Sequence, residues 1–457
     1  MSASSSGTSG DGTSGDRPPG DRPPGNRATG TGDGSPGRAD GTSATGAAGA
    51  GSSPSRLLPS QLRPSARTAF AGSVLLLAVS LALFAALLLL RHAPMADLFV
   101  YRAEGAAVLS GDDPYGFTVT RWDLPATYPP FAAILFVPAA LAPPAVLKVC
   151  AVAANLALLV LLVRLSLDLA GVPRAHPLRP AAICAGAALA LWLEPVFQTL
   201  IFGQINLVLA CLVLWDAGRP DGARGKGLAT GLAAGIKITP AVFVLFLLVT
   251  GRRRAGLAAL AAFAGSVLAG ALALPAASHA YWTGLLFDTG RVGKVWIVDN
   301  QSLHGLMGRL LHRPDAGAAG TVAAVLVVIA GLAVARRVTL RGRPEWGLLC
   351  AALTGLLVSP ISWSHHWVWC VPLLALLSRR RAVLAAVAVV FTARSMWLLP
   401  HRGDLDLRLP WWQQPLAAPY PLLGLAVLAA VAARQWRAHR RGGRDGVAVA
   451  SRWSSRS

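Results

Sequence analysis

The feature that most constrains this chain is a train of apolar runs that begins at Ala66. Runs of about 15 to 24 residues recur from there to about residue 434, and roughly 20 residues at 1.5 Å rise cross the hydrocarbon core of a bilayer. Spans are predicted near 68–90, 145–166, 180–197, 200–216, 227–236, 239–250, 255–274, 318–336, 345–359, 364–378, 382–398 and 416–434. The 227–250 stretch reads either as one helix or as two short helices bent at Lys237-Ile238-Thr239-Pro240. Phe131 to Ala142 is too short to span and carries Pro138, with Pro143-Pro144 beyond it. An interfacial or re-entrant helix suits it. Length alone, 457 residues, would suggest about three soluble domains. Composition excludes that, because 54% of the residues are hydrophobic and only 14% charged, against roughly 25% in ordinary globular proteins. The expected fold is an all-α polytopic membrane protein with about 12 transmembrane helices.

The net charge of +21 would suit a nucleic-acid partner, but its distribution suits a membrane better. Arginine clusters sit on alternate connections: Arg164, Arg174 and Arg179; Arg219, Arg224 and Lys226; Arg252 to Arg254; Arg336, Arg337, Arg341 and Arg343; Arg379 to Arg381. The C-terminal segment adds Arg434, Arg437, Arg440 and Arg441. The positive-inside rule makes these cytoplasmic. Both termini then lie inside, a parity that holds only if 227–250 is a hairpin. The acids gather on the other connections, about 92–129 (Asp97, Glu104, Asp112, Asp113, Asp123), 276–317 (Asp288, Asp299, Asp315) and 400–415 (Asp404, Asp406, with Trp411 and Trp412). A small outer connection holds Ser362 to His366. No nucleic-acid partner is expected.

Residues 1–66 are rich in Gly, Ser, Thr, Pro and Asp, with a tandem GDRPPGDRPPG at 15–25. They hold too little apolar surface to offset chain entropy, so a disordered cytoplasmic tail is expected. The first apolar run starts too late for a signal peptide. The domain reading is therefore a tail over 1–66, a membrane domain over 67–435 and a basic cytoplasmic tail over 436–457. Cys150, Cys184, Cys211, Cys350 and Cys370 lie in or beside apolar runs without a CxxC pair, and read as small buried hydrophobes.

Chemistry is expected at the outer ends of the spans. Asp97 follows the first span directly, where a carboxylate tuned by burial or a partner can take a proton from a hydroxyl. Tyr101, Tyr115 and Tyr128 punctuate the same loop, beside Gly111-Asp112-Asp113-Pro114 and Pro129-Pro130. Such rings anchor at an interface or stack on the apolar face of a sugar. Gln204 and Asn206 lie near the outer end of an apolar span, where polar side chains are costly. Lys237, between Ile236 and Ile238, needs a counter-charge, and a lipid phosphate would supply one. Asn300-Gln301-Ser302-Leu303-His304 offers neutral hydrogen-bonding groups in the second outer loop. Trp363-Ser364-His365-His366-Trp367 forms the other dense cluster. Adjacent histidines on a helix point about 100° apart and make poor joint ligands, and no HExxH-like set completes a metal site. No nucleotide-binding motif is present either, so no cofactor is expected and an activated lipid must bring the energy.

In order along the chain, Asp97-Leu98-Phe99-Val100-Tyr101, Gly111-Asp112-Asp113-Pro114-Tyr115, Tyr128-Pro129-Pro130-Phe131, Gly203-Gln204-Ile205-Asn206-Leu207, Gly235-Ile236-Lys237-Ile238-Thr239-Pro240, Asn300-Gln301-Ser302-Leu303 and Ser359-Pro360-Ile361-Ser362-Trp363-Ser364-His365-His366-Trp367 form a pattern. It resembles glycosyltransferase family 87, the actinobacterial polyprenyl-phosphate-mannose-dependent mannosyltransferases. The resemblance covers about Asp97 to Trp369. It implies a C-type glycosyltransferase fold in the plasma membrane with extracytoplasmic active-site loops. It also implies an inverting transfer of mannose from polyprenyl-phosphate-mannose to a mannoside or glycolipid acceptor of the cell envelope. Asp97 takes the place of the family's base. Lys237 and one of His365 and His366 are the candidates for the leaving phosphate. Tyr101, Tyr115, Tyr128, Gln204, Asn206, Asn300, Gln301 and Trp363 are the candidates for binding donor or acceptor. Ser364 and His304 depart from the family pattern, which leaves the acceptor and the linkage, α-1,2 or α-1,6, open. The rival reading is a polytopic transporter or lipid-linked sugar flippase. Transporters often carry internal repeats and midplane charges, and the two halves of this chain show no convincing repeat.

Overall fold

A computed structural model describes residues 64–91, 93–401 and 403–454, with the backbone alone at 64 and over 438–454. The chain divides after Ser55 into two units, and every described residue belongs to the second. The expected disordered tail falls outside the described residues except at its end, where the first helix already begins at Pro64.

The described residues are helical apart from one two-residue antiparallel pair, Thr118–Val119 with Leu124–Pro125. Four helices are long and apolar enough to cross a membrane: Ser65–Leu90, Pro144–Leu169, Arg253–Ala273 and Gly317–Leu340. Two more spans result if each bent pair counts as one. These are Arg179–Ala190 with Glu194–Phe202, bent by 73°, and Trp411–Ala417 with Pro419–Arg437, bent by 85°. The molecule is thus a membrane protein with four to six candidate spans by length and composition among the described residues, fewer than the twelve apolar runs of the sequence. The reason is length. Asn206–Ala217 and Arg381–Thr392 have 12 residues each, about 18 Å of helix, against a core of about 30 Å. Apolar windows run on through breaks that end the helices. Gly203, left-handed at φ 70°, stops the Glu194–Phe202 helix, and a Cβ there would lie 2.7 Å from Leu98 Cβ. The 382–398 run likewise ends as helix at Thr392, and a short 3-10 turn, Ser395–Leu398, follows.

The 227–250 stretch is a pair of nine-residue helices, Leu228–Ile236 and Ala241–Val249. Gly227, Gly231 and Gly235 lie against Ala255, Ala259 and Ser266, so the first arm runs parallel to the Arg253–Ala273 helix. Gly256 lies against Leu248, so the second arm returns to where the first began. Each arm is about 14 Å long. The hairpin therefore enters the helical bundle and comes back, with Lys237 at its tip. The 131–142 stretch is also short, as Pro130–Leu135 and Val137–Leu141. Its Phe136 ring stacks on Tyr101, centroids 4.3 Å apart.

Trp367, Phe391, Tyr420, Leu191, Leu207 and Leu349 are among the buried side chains that fill the space between helices. The Asn206–Ala217 helix links two cavities. At its Asn206 end lies one of 240 Å³, bounded by Asp97, Gln204, Lys237 and His366. At its Ala217 end lies one of 780 Å³, bounded by Asp168, Asp216, Arg219, Lys226, Arg252 and Glu345.

Candidate active site

Asp97 is the second residue of the Ala96–Ser110 helix, which starts from a left-handed Met95. The side chain opens on the smaller cavity together with Tyr128, Gln204, Lys237, Thr239, Tyr281, Arg291, Trp363 and His366. Five separate chain segments meet there. Residues 97–128 form one wall. Gln204 comes from the break between two short helices and Lys237 from the hairpin tip. Tyr281 and Arg291 come from the second loop, and Trp363 and His366 from the loop that carries the histidine pair.

The geometry around Lys237 is set by neutral partners. Its Nζ donates to Asn206 Oδ1 at 3.3 Å and to Tyr128 Oη at 3.3 Å, and lies 3.0 Å from His366 Nε2. A charged lysine has no acceptor capacity, so the imidazole nitrogen accepts. The ammonium also sits 5.1 Å from the centre of the Tyr128 ring. Asn206 is fixed in turn, because its amide nitrogen donates to the His365 carbonyl at 3.0 Å. Gln204 Oε1 accepts from both Tyr101 (2.9 Å) and Tyr128 (3.0 Å), which leaves its amide nitrogen for Asp97.

Asp97 and Lys237 lie outside the candidate spans, and each feels the other's charge. Burial pushes the Asp97 carboxyl up from its ordinary value, with Asp299 adding to the rise, while Lys237 and Gln204 pull it down. Burial pushes the Lys237 ammonium down, and Asp97 holds it up. The site is thus built with a base and a cation drawn toward each other's range, the arrangement expected where proton transfer and anion binding share a cavity.

Not every residue singled out from sequence reaches this cavity. Asp97, Tyr128, Gln204, Lys237, Trp363 and His366 do. Asn206 reaches it through Lys237. Tyr101 and Tyr115 stand behind its wall. Tyr101 is buried against Tyr128 and Phe136, and Tyr115 donates to the Tyr128 carbonyl at 2.7 Å. His365 turns away and is buried beside Phe202 with both ring nitrogens unpartnered, although its carbonyl holds Thr199 and Asn206. Asn300 and Gln301 are fully buried and join loops instead. Asn300 binds the carbonyls of Val295 and Pro360 and the Ser362 amide. Gln301 binds the carbonyls of Val298 and Ala417 and the Tyr420 amide. Their work is to set the height of the Trp363–His366 loop, reinforced where Asn300 and Trp363 bridge. Trp363 can lie flat there because Gly293, at φ 147°, has no Cβ. A Cβ would come 3.1 Å from the ring.

Sequence reasoning missed Tyr281, Arg291 and Thr239 on the cavity wall. No sequence signal separates Arg291 from Lys294, Arg309 and Arg313 on the same connection.

The model of glycosyltransferase family 87 matches residues 126–360. The chain is 36% identical, over 73% of its length and 83% of the relative's, to a polyprenol-phosphate-mannose-dependent alpha-(1-2)-phosphatidylinositol mannoside mannosyltransferase of Mycobacterium tuberculosis. The protein of that description from Mycolicibacterium smegmatis is 34% identical over 73% and 83%. A polyprenol-phosphate-mannose-dependent alpha-(1-2)-phosphatidylinositol pentamannoside mannosyltransferase of M. tuberculosis is 34% identical over 74% and 81%. No solved structure matches the chain. With the cavity carrying the resemblance's own residues and relatives matching over most of both lengths, the chain belongs to glycosyltransferase family 87.

Proposed function

We propose that the chain is an inverting mannosyltransferase that moves mannose from polyprenyl-phosphate-mannose to a phosphatidylinositol mannoside through an α-1,2 linkage. The observation that carries this reading is the pairing of Asp97 with Lys237 on one cavity. Lys237 there has hydroxyl, amide and imidazole partners and no carboxylate within ion-pair distance among the described residues. Similarity to enzymes that use this donor and these acceptors gives the substrates.

The acceptor hydroxyl attacks the anomeric carbon of the β-linked mannosyl phosphate, and Asp97 takes its proton as the new C–O bond forms. The bond from C1 to the phosphate oxygen breaks on the opposite face, which inverts the centre to α. Polyprenyl phosphate leaves with one more negative charge. Lys237 stabilises that charge as it develops, and His366 and Asn206 hold the ammonium in place. Tyr128 and Trp363 present ring faces to the sugar, while Tyr101 and Gln204 fix Tyr128.

The setting follows from charge. The Asp97 end of the fold faces the extracytoplasmic side and the arginine-rich connections face the cytoplasm, as the positive-inside rule requires. The hairpin supports the parity that places both termini inside. The short helices, which no single span accounts for, complete a C-type glycosyltransferase bundle around the long ones. A flippase reading gives no role to a carboxylate and a cation that face one cavity.

Membranes holding the protein, given radiolabelled polyprenyl-phosphate-mannose and a phosphatidylinositol mannoside, are expected to label the acceptor. The label should be released by an α-1,2-specific mannosidase. Label that resists that enzyme would overturn the linkage, and absence of transfer to any mannoside acceptor would overturn the function.

A further inference from the structure

Glu104 has no part in the chemistry above. Asp97, Tyr101 and Glu104 are spaced four and three residues apart on the Ala96–Ser110 helix and so form one stripe. Asp97 and Glu104 are about 10 Å apart along the axis. Glu104 is completely buried and neither carboxylate oxygen has a hydrogen-bond partner. Burial pushes this carboxyl well up, and the charge that pulls it back is Arg291. Arg291 Nε is buried and unpartnered as well. Its guanidinium donates to the Ala126 carbonyl and lies 5.6 Å from the centre of the Tyr115 ring. Tyr115 stacks on Tyr281, centroids 5.7 Å apart. Tyr281 and Arg291 both face the cavity.

Buried polar groups left without partners are rare, and each calls for an explanation. Here a guanidinium, a carboxyl and stacked phenol rings occur together at one wall. That combination recognises a sugar: ring faces take its C–H surface, and a planar cation takes neighbouring hydroxyls. The place of this wall separates it from the donor's phosphate. Lys237 and His366 also border a narrow slot of 50 Å³ walled by Leu209, Val213, Phe243 and Leu356. Tyr281 and Arg291 have no part in that slot. In an inverting displacement the entering oxygen and the leaving phosphate lie on opposite faces of the reacting carbon. Resting on the mannosyl-transfer reading, we propose that the Tyr281–Arg291 wall is the subsite for the acceptor's terminal sugar. Arg291 hydrogen-bonds the sugar's hydroxyls.

The test is steady-state transfer with donor and acceptor varied separately, for wild type, Arg291→Lys and Arg291→Ala. Loss of charge-assisted hydrogen bonds should raise the acceptor KM of Arg291→Ala roughly 10- to 100-fold, with the donor KM within about twofold. Arg291→Lys, which keeps the charge without the planar fork, should fall between. Equal rises in both KM values would overturn the subsite. So would normal wild-type turnover with an acceptor KM unmoved in Arg291→Ala. Absence of transfer in the wild type itself would bring down the mannosyl-transfer reading, and the subsite with it.

Discussion

Lys226 and Lys237 are only 11 residues apart in sequence, at the two ends of one hairpin arm, yet they live in opposite electrostatic settings. Lys226 is buried and answered at once. It donates to Asp221 at 2.7 Å and to the carbonyls of Arg219 (2.5 Å) and Ala217 (3.4 Å). Its surroundings are equally settled. Asp216 accepts from the Gly227 amide at 2.9 Å and from Thr230 Oγ1 at 2.7 Å and pairs with Arg219, while Arg252 pairs with Asp221. Lys237 makes its hydrogen-bond contacts with Tyr128, Asn206 and His366 among the described residues. The larger cavity, 780 Å³, belongs to Lys226 and the smaller, 240 Å³, to Lys237. Size therefore does not mark the active site in this molecule. What marks it is a cation held by neutral partners, with no carboxylate within ion-pair distance among the described residues, because such a cation gains most when an anion arrives.

The contrast breaks most readily at the base. Asp97→Asn keeps the shape and removes the proton acceptor, and transfer should fall by about 10²- to 10⁴-fold, with folding unchanged in a thermal melt. A fall below tenfold would place the base elsewhere. Lys237→Met should lower kcat by about 10²- to 10³-fold, the scale of one lost charge-stabilising donor. Lys237→Arg should keep part of the rate.

The pH profile sharpens the same contrast. Asp97 acts deprotonated and its carboxyl is raised, so activity should be lost as pH falls through a value above the ordinary carboxylate range. Lys237 acts charged and its ammonium is lowered, so activity should also be lost as pH rises through a value below the ordinary lysine range. A narrow bell in kcat/KM is expected, and Lys237→Met should lose its alkaline limb. A flat profile across neutral pH would contradict the pairing. The smallest effect belongs to the other end of the hairpin arm. Asp216→Asn should cost about 1.5–3 kcal/mol of stability, read from denaturant unfolding, with kcat per folded molecule unaltered.

The sequence carried the membrane character and most of the site because both are written in residue type. Lys237 between isoleucines, Gln204 and Asn206 in an apolar run, and Asp97 just past a span all violate a local preference, and such violations gather at function. Span count was not legible. Hydropathy sums over windows, and it cannot see that Gly203 ends a helix after 9 residues, whereas the bend at Lys237–Pro240 was legible from its proline and lysine. The roles of Asn300 and Gln301 were misplaced for a related reason. A polar run in an outer loop looks the same whether its amides face a sugar or hold two loops together, and only long-range partners such as Pro360 and Tyr420 separate the cases. His365 and His366 are likewise equal in sequence, and the 3-10 geometry of Ser364–Trp369 turns just one of them to the cavity.

The account stands on Lys237 as the cation kept for the lipid phosphate, and binding of the leaving group tests it without chemistry. Polyprenyl phosphate should be titrated into wild type, Lys237→Met and Lys226→Met in nanodiscs by isothermal calorimetry. The account predicts that Lys237→Met loses affinity by at least about tenfold while Lys226→Met binds as the wild type does. Loss confined to Lys226→Met, with Lys237→Met unaffected, would contradict it.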